Sequence, residues 1–465
     1  MDAFSNIFML ISSMLFGVEN CDIFRTPSSP HLDHEWWGPT HLKFHNDTSI
    51  RPFRIHFEDD MIEDLRHRLK NHRPFTPPLE GVGFQYGFNT KYLGGWVDYW
   101  ADQYPFHHQE QLLNKYPQFK TNIQGLDIHF LWVKQKVPEH VKVVPLLLLH
   151  GFPGSVREFY ETLPLLTAVS PDRDYALEVI APSLPGFGFS DPAVRPGLGA
   201  TQMAVVLRNL MHRLGFKKFY LQGGDWGAII GVCMTALYPK EILGYHTNLG
   251  LSLSPAAGAL WFIGSLFPPL VVEPDLANRM YPILRVLYTL TRESGYLHIQ
   301  STKPDGLGIA MADSPAGQLA YILQFISMST RRKYYYRSDG GLDDLFTRDE
   351  LLDNMMFYWI TNSFTTASRI YAETFNLKTI SMGVYMIPTP VPTWTIHAPD
   401  EIIYQSPKIL KLKFPNLLNS TVLNDGGHHL AWEKPHFFAE DVLNAINAFR
   451  KWHLYRKNKK DRYEL

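Results

Sequence analysis

The chain has 465 residues, more than one ordinary domain needs and enough for a large core with added segments. Hydrophobic residues make up 45% and aromatic residues 14%, while the formal net charge of −1 argues against a generally basic, nucleic-acid-binding protein. The two cysteines, Cys21 and Cys233, lie far apart without metal-ligand spacing, which argues against a disulfide framework or a zinc site and suits a reducing compartment.

The chain begins with an apolar run of 12 residues, Ile7 to Val18. A helix needs about 20 residues to span a bilayer, so this run is short for a transmembrane segment. It also lacks the basic n-region and the small-residue cleavage site of a secretory signal. We interpret residues 1–20 as an uncleaved hydrophobic anchor that attaches the chain to a membrane. A signal peptide and a segment docked on the core are the alternatives.

Residues 21–140 are rich in His, Pro and aromatic residues and are predicted to wrap around the rest of the protein. One stretch, DDMIEDLRHRLKNH, has the apolar spacing of an amphipathic helix. Its apolar face consists of Met61, Ile62, Leu65 and Leu69. Asp59 or Asp60 is predicted to cap this helix, and Pro74 prevents its continuation. The next stretch, PPLEGVGFQYGFN, is typical of an extended loop.

Strands and helices begin to alternate near Lys142. The apolar runs VKVVPLLLLHG, ALEVIAPSLPG and FKKFYLQGG are typical of strands buried on both faces. Between them lies the helical pattern TQMAVVLRNLMHRLG, which ends at Gly215. This alternation predicts an α/β protein with a mostly parallel sheet flanked by helices.

A helical, aromatic-rich segment, residues 251–379, interrupts this alternation and is predicted to form an inserted cap. The stretches VPTWTIHAP and STVLNDGGHH then restore the strand pattern. The predicted core therefore comprises residues 141–250 and 380–465.

The stretch Leu221–Gly227 (LQGGDWG) has the strand, tight turn and helix layout of a nucleophile elbow. Gly223 and Gly227 allow the sharp turn because they have no side chain to clash. Asp225 stands at the tip, where an esterase carries serine. A carboxylate there displaces at a saturated carbon and forms an alkyl ester with the enzyme. The alternative is an aspartate that caps the following helix.

Two further stretches have the chemistry that such an elbow needs. His150–Ser155 (HGFPGS) follows a strand and can direct backbone N–H groups into a site. The N–H groups of Phe152 and Trp226 are predicted to form an oxyanion hole. A strand-ending turn without catalytic role is the alternative for this stretch.

The second stretch, NDGGHHLAWEKP, places His428 and His429 on the loop that carries the general base in α/β-hydrolases. The acid is expected after the preceding strand, where Asp400 and Glu401 both qualify. Spacing does not choose between the two histidines or between the two carboxylates. The three stretches together, in this order, predict an α/β-hydrolase fold with an aspartate nucleophile.

The motifs HGFPGS, GGDWG and GGHHLAWEKP resemble those of microsomal-type epoxide hydrolases. DHEWWGP and RPFTPPLEGVGFQYGFNT near the front add a narrower resemblance to the juvenile hormone epoxide hydrolases of insects. The resemblance extends from about residue 30 to the end of the chain. One departure is Phe152, at a position where this family often has tryptophan.

The resemblance implies a role for each site residue. It implies Asp225 as nucleophile and His428 as base. It implies Glu401 as acid, because VPTWTIHAPDEIIYQSPKILKLKFPNL fits the family segment without a gap, which makes Asp400 the alternative. It also implies Tyr296 and Tyr371 as the two cap tyrosines that donate hydrogen bonds to the epoxide oxygen.

The expected reaction converts a lipophilic epoxide and water to a diol and requires no metal or organic cofactor. The resemblance implies juvenile hormone, a terpenoid epoxy ester, as substrate and the endoplasmic reticulum or microsomal membrane as location. Aromatic residues of the cap suit a long apolar substrate, although ordinary packing in the core of the cap is expected for most of them. They are Trp261, Phe262, Phe267, Tyr321, Phe325, Trp359 and Phe364.

Two other functions are alternatives. A haloalkane dehalogenase shares the aspartate elbow and the base but needs Trp or Asn halide clamps and has no use for the tyrosine pair. A carrier that binds a lipophilic hormone without turnover has no use for a complete triad.

Overall fold

The computed structural model describes Leu32, residues 35–43 and residues 47–463, with side chains as far as residue 458. One nine-stranded sheet forms the centre of this part of the chain. Its strands are β1 (Arg51–Phe53), β2 (Gln118–Ile123), β3 (Leu126–Val133), β4 (Lys142–Leu149), β5 (Tyr175–Pro182), β6 (Phe219–Gly223), β7 (Ile242–Thr247), β8 (Thr393–His397) and β9 (Leu417–Val422).

The strand order is β1-β2-β3-β5-β4-β6-β7-β8-β9. The pairs from β5 to β9 are parallel, and the pairs that involve β1, β2 and β3 are antiparallel. Every residue of β5 and β6 is buried, as expected for central strands covered on both faces. The predicted α/β fold with a mostly parallel sheet is therefore confirmed.

The front region contributes strands that the sequence did not predict. Strands β2 and β3 form a hairpin in which Ile123 pairs with Leu126, so the loop has two residues. Those residues, Gln124 and Gly125, both have positive φ angles of 51° and 89°. This is the type I′ turn that suits two-residue hairpins, but Gln-Gly is a weaker sequence signal for it than Asn-Gly.

Three helices of the front region follow, α1 (Asp59–Lys70), α2 (Thr90–Asp102) and α3 (Phe106–Leu113). The predicted amphipathic helix is α1, which buries Ile62, Leu65 and Leu69. The capping prediction was wrong by a residue, because Glu58 has extended backbone and is the N-cap. Both aspartates lie instead in the first turn, where a negative charge favours the helix N-terminus.

Helices of the core and cap follow in chain order. Those of the core are α4 (Leu163–Thr167), α5 (Ala200–Arg213) and α6 (Asp225–Leu237). Those of the cap are α7 (Pro255–Gly264), α8 (Ile283–Glu293), α9 (Gly295–Thr302), α10 (Pro304–Asp313), α11 (Pro315–Thr330), α12 (Arg348–Trp359), α13 (Phe364–Thr374) and α14 (Leu377–Ser381). The predicted division at residue 379 falls inside α14. Gly215, with a φ of 90°, follows α5 as predicted.

The chain then returns to the core. Strand β8 lies within the predicted stretch VPTWTIHAP, whereas β9 (Leu417–Val422) overlaps only the first three residues of STVLNDGGHH. The last helices are α15 (Pro407–Leu410), α16 (Leu430–Glu433) and α17 (Pro435–Tyr463). Within the described ranges, no helix is both long and apolar enough to cross a bilayer. The anchor predicted over residues 1–20 lies outside the described residues.

Candidate active site

The elbow at Asp225 has the geometry of a nucleophile turn. Strand β6 ends at Gly223, and α6 begins at Asp225, whose φ angle of 46° is strained for a residue with a side chain. A Cβ on Gly223 would lie 2.2 Å from the carbonyl oxygen of Gly227, so a side chain is excluded there. The capping alternative is wrong, because Gly224 is the N-cap and no side-chain cap bond is present.

The loop after β4 provides the predicted N–H donors. The N–H of Phe152 donates to Oδ1 of Asp225 at 2.8 Å, and the N–H of Trp226 lies near enough to lower the pKa of the carboxylate. Gly151 lies so close that a Cβ there would be 2.1 Å from the same oxygen. These donors are positioned to hold negative charge on one oxygen of Asp225.

The histidine that faces Asp225 is His428. Its Nε2 lies 3.1 Å from Oδ2 of Asp225, and its Nδ1 lies 2.9 Å and 3.0 Å from the two carboxylate oxygens of Glu401. His429 points away, with Nδ1 3.7 Å from Glu158. Asp400 instead accepts a hydrogen bond from the backbone N–H of Arg332 at 3.3 Å. The structure thus places His428 rather than His429 beside Asp225, and Glu401 rather than Asp400 beside His428.

Electrostatics favour charge on both partners of this contact. Burial alone would raise the pKa of Asp225, but His428 and the N–H groups of Phe152 and Trp226 outweigh it and lower that pKa. Burial alone would lower the pKa of His428, but the charges of Glu401 and Asp225 raise it well above its usual value. The site without substrate therefore holds a carboxylate against an imidazolium.

Both cap tyrosines lie close enough to Asp225 for its charge to influence them. Tyr371 packs edge-on against Trp226 at 4.6 Å between ring centroids, and Tyr296 lies 5.9 Å from Tyr371. Burial first, and then the nearby charge of Asp225, raises the pKa of Tyr296, while burial and the neighbouring Tyr296 and Asp225 raise that of Tyr371. Both phenols therefore stay protonated and can donate.

Only part of the predicted aromatic set surrounds these tyrosines. Phe325 packs on Tyr296 at 4.6 Å, and Tyr321 contacts both Phe325 and Phe364. The prediction was wrong for Phe262 and Phe267, which are 66% and 56% exposed on the outside of the cap. Trp359 packs against Trp100 and Trp261 packs in a separate cap cluster, so neither belongs to this group of rings.

Several polar residues of the site had no sequence signal. A cavity of about 20 Å³ lies behind the carboxylate, and its lining includes Asp225, His428, Gln222, Asn248 and Glu158. Asn248 donates to the backbone oxygen of His428 at 3.2 Å and accepts from Gln222 at 3.1 Å. Asn248 therefore contacts the backbone of His428, and Gln222 contacts Asn248, although no sequence motif indicates these contacts.

The loop that carries His428 is held by Glu433. The two carboxylate oxygens of Glu433 accept hydrogen bonds of 3.0 Å from the N–H groups of Gly427 and His429. Arg331, at the end of α11, forms a buried ion pair with Glu433. No group of three or more His, Cys, Asp or Glu residues in the described part of the chain is arranged to hold a metal.

Comparisons with known proteins agree with this geometry. Residues 50–159 match the family described as epoxide hydrolase N terminus, and residues 144–280 match the alpha/beta hydrolase fold. The chain is 57% identical to juvenile hormone epoxide hydrolase of Bombyx mori, over 91% of this chain and 92% of that protein. It is 41% identical to epoxide hydrolase 1 of Sus scrofa, over 88% of this chain and 92% of that protein.

A solved structure is similar over the same range. The crystal structure of juvenile hormone epoxide hydrolase from Bombyx mori matches with a TM-score of 0.90 at 57% identity, covering 91% of this chain and 100% of that chain. Fold and site therefore define an α/β-hydrolase with an aspartate at the elbow. The chain belongs to the epoxide hydrolase family and is an epoxide hydrolase. This membership favours epoxide opening over the dehalogenase and carrier alternatives.

Proposed function

We propose that this epoxide hydrolase works through a covalent alkyl ester on Asp225, with juvenile hormone as a substrate. One observation supports the mechanism most directly. The Asp225 carboxylate lies between the Phe152 N–H on one oxygen and His428 on the other, with Tyr296 and Tyr371 nearby. This arrangement leaves Oδ2 to attack while Oδ1 stays hydrogen-bonded.

In the first half-reaction Oδ2 of Asp225 attacks an epoxide carbon and the carbon–oxygen bond of the ring breaks. Tyr296 and Tyr371 hydrogen-bond the ring oxygen as it becomes an alkoxide, and one phenol gives it a proton. A single well-placed donor of this kind contributes roughly 10²–10³-fold to a rate. The product of this step is a hydroxyalkyl ester on Asp225.

Ester formation prepares the second half-reaction. It removes the negative charge of Asp225, which is one of the charges that raise the pKa of His428. The imidazolium of His428 therefore releases its proton, and the tyrosine that had protonated the alkoxide recovers a proton. Neutral His428 then accepts a proton from water as the water attacks the ester carbonyl. Glu401 stabilises the new imidazolium, and the N–H groups of Phe152 and Trp226 hold the oxyanion. Collapse releases the diol.

The cavity behind Asp225 and His428 is the proposed source of that water. Its volume of about 20 Å³ exceeds the roughly 10–15 Å³ that one water molecule requires. Unpaired atoms in the lining, Oε1 of Gln222 and Nε2 of His429, suit a bound water. Water held there reaches the ester without crossing the substrate pocket.

Two observations support a lipophilic substrate such as juvenile hormone. The relative from Bombyx mori bears the name of that hormone. The rings of Phe325, Tyr321 and Phe364 pack around the proposed tyrosine pair and provide an apolar lining. We also propose that residues 1–20 attach the enzyme to the endoplasmic reticulum membrane, on the support of their apolar sequence.

The mechanism is tested by one turnover with excess enzyme in ¹⁸O-labelled water. We expect a diol without heavy oxygen and label in the peptide that contains Asp225, because the diol takes its new oxygen from the carboxylate. Labelled diol with an unlabelled peptide would mean that water attacks the epoxide directly, and the ester mechanism would be wrong.

His428→Gln gives a second test of the same mechanism. Alkylation of Asp225 continues but ester hydrolysis slows by roughly 10²–10⁴-fold, so the ester accumulates to stoichiometric amounts. Mass spectrometry of the intact protein after mixing with substrate measures it. His436→Gln is the matched control, because His436 is exposed on α17 and lies outside the cavity lining. Equal accumulation in both variants contradicts the assignment.

A further inference from the structure

The outside of the cap carries a concentration of exposed apolar side chains, which we call the cap apolar face. Its members are Phe262, Ile263, Leu266, Phe267, Leu270, Leu284 and Tyr288. Leu266 is 80% exposed and Leu284 is 77% exposed. A hydrogen bond of 3.0 Å from Tyr281 to the carbonyl oxygen of Trp261 joins the two chain segments that form this face. Exposed apolar patches of this kind mark surfaces of interaction.

Helix α8 shows that this face lacks a partner within the described chain. Its apolar positions fall into two groups. Ile283, Val286, Leu287 and Leu290 are half-buried, whereas Leu284 and Tyr288 are exposed on the side that also carries Arg285 and Arg292. An amphipathic helix of a globular protein normally buries its apolar stripe in the core. None of the residues of α8 is buried. The exposed flank of α8, with Leu284 and Tyr288, is therefore the part without an apolar partner in the described chain.

Charge around the face favours a lipid surface as that partner. Residues 251–272 contain no Asp, Glu, Lys or Arg, although much of this stretch is exposed. Basic groups border it, since Lys408 donates to the carbonyl oxygen of Leu270 at 3.0 Å and Arg285 and Arg292 lie on α8. The acidic residues of these two segments are Glu273, Asp275 and Glu293, and Glu293 pairs with Arg292. An apolar surface with basic borders suits a bilayer with anionic headgroups.

The cap apolar face also leads directly to the proposed site. Helix α8 ends at Glu293, and Tyr296 lies in the first turn of the next helix, α9. Phe325, which packs on Tyr296, continues the apolar path inward. A substrate dissolved in lipid would thus meet the cap at the end that carries a proposed catalytic tyrosine.

We propose that the cap apolar face inserts into the surface of a lipid bilayer and that lipophilic epoxides reach the active site from the lipid. The insertion is separate from the anchor proposed over residues 1–20, because it uses folded helices of the cap. The route of the substrate rests on the proposed function, whereas the insertion does not. A second copy of the chain is the competing occupant of this face.

Insertion is tested with a polarity-sensitive dye on the full chain. Leu266→Cys is prepared with Cys21→Ser, and Cys233 stays unlabelled because it is buried and burial raises its pKa to about 11. Leu79→Cys, at an exposed leucine of the front loop, is the matched control. The probe is a vesicle of phosphatidylcholine and phosphatidylserine with nitroxide on the acyl chains.

We expect severalfold quenching of the dye at 266 and none at 79. Equal quenching at both positions, or none at 266 on vesicle-bound protein, overturns the proposal. A spectral shift at 266 that grows with protein concentration in the absence of vesicles identifies a second copy as the occupant and also overturns it.

The substrate route is tested with the double variant Leu266→Glu and Phe267→Glu against Leu79→Glu. The kcat/KM for an epoxide dissolved in vesicles falls on the order of tenfold in the double variant, since two buried apolar contacts with lipid are lost. The kcat/KM for a water-soluble epoxide stays unchanged. An equal loss with both substrates contradicts the route. Failure of the unsubstituted enzyme to open either epoxide would count against the proposed function, while the dye result would still decide the insertion.

Discussion

His428 lies between two carboxylates, and this position makes its pKa the central variable of the site. Burial opposes its charge, but Glu401 and Asp225 together raise the pKa well above the usual value. In the proposed mechanism esterification neutralises only Asp225, so Glu401 should continue to raise the pKa of His428 in the ester. The rate of ester hydrolysis should then fall at low pH as His428 becomes protonated. The position of this acid limb of the pH profile should depend on the charge of Glu401.

Glu401→Gln should therefore move that acid limb to lower pH. Loss of the negative charge lowers the pKa of His428, so its neutral form persists in more acidic solution. The plateau rate falls on the order of 10²-fold, because the imidazolium that forms loses its charged partner. Single-turnover ester hydrolysis measured across pH shows both effects. Asp400→Asn should change neither, because Asp400 bonds the backbone of Arg332 instead; an unmoved limb in Glu401→Gln contradicts the assignment.

In the proposed mechanism the tyrosine pair donates to the substrate only in the first half-reaction. Tyr296→Phe or Tyr371→Phe should slow ester formation roughly 10²-fold, because each removes one donor to the developing alkoxide. The double variant should be nearly inactive, while hydrolysis of a preformed ester stays close to normal. Rapid-quench measurements separate these two rates. Tyr321→Phe is the control, since its hydroxyl contacts Gln300 at 3.4 Å. Equal slowing of both half-reactions would argue for a structural role.

At the scale of elements, three loops at the carboxyl ends of β4, β6 and β9 converge on one carboxylate. The last of these loops bends back between α11 and α16. The N–H of His428 donates to the carbonyl oxygen of Ser329 at 2.8 Å, and Glu433 holds the N–H groups on either side of His428. Orientation of the base therefore depends on a cap helix as well as on its own loop.

Glu433→Gln tests Glu433 as a positioning residue. The amide replaces one acceptor oxygen by a donor that faces an N–H, so one of the two loop contacts is lost. We expect ester hydrolysis to slow about tenfold, since the general base is worth only about 10²–10⁴-fold in total. Ester formation and KM change little. Glu440→Gln, an exposed site on α17, is the control. A matching loss in ester formation would instead indicate general damage.

At the scale of the molecule, one buried cluster joins the three regions of the chain. Asp353 of the cap helix α12 accepts from Arg157 of the core at 2.9 Å and from Tyr104 and Gln109 of the front region at 2.8 Å and 3.0 Å. The side chains of Asp353 and Arg157 are 0% and 2% exposed. From the same helix, Tyr358 donates to the carbonyl oxygen of Gly154, in the loop after β4, at 2.7 Å. Helix α12 therefore contributes both to the stability of the protein and to the position of the loop that donates to Asp225.

Asp353→Ala should lower the free energy of unfolding by about 3–5 kcal/mol, because it removes one of the carboxylates that pair with buried Arg157 and leaves the buried donors of Tyr104 and Gln109 without their acceptor. Arg157 keeps its ion pair with Glu161. Asp305→Ala removes a carboxylate from an ion pair with Arg369 whose side chains are 43% and 62% exposed. The cost there should be at most about 1 kcal/mol. Urea unfolding of both variants gives the comparison. Similar decreases in the free energy of unfolding of the two variants would show that the buried cluster stabilises the protein no more than an exposed ion pair does.

Elements with a local signal were accessible from the sequence. The apolar strands near Lys142, the glycine-flanked turn at Asp225 and the helix that ends at Gly215 follow from hydrophobic period and backbone sterics, which act over a few residues. The hairpin at Gln124 was missed because its turn residues are unusual for that turn type. The division between front region, core and cap remains a prediction.

Partnership between distant residues was decided only by the tertiary structure. Asp225 and His428 are 203 positions apart, and no spacing rule selects His428 over His429 or Glu401 over Asp400. The residues alone did not distinguish two tyrosines among 23, nor reveal that Phe262 points outward. Residue chemistry and short-range periodicity define which groups a chain carries and in which elements. Packing of those elements defines which groups meet, because a contact depends on the fold of the whole chain.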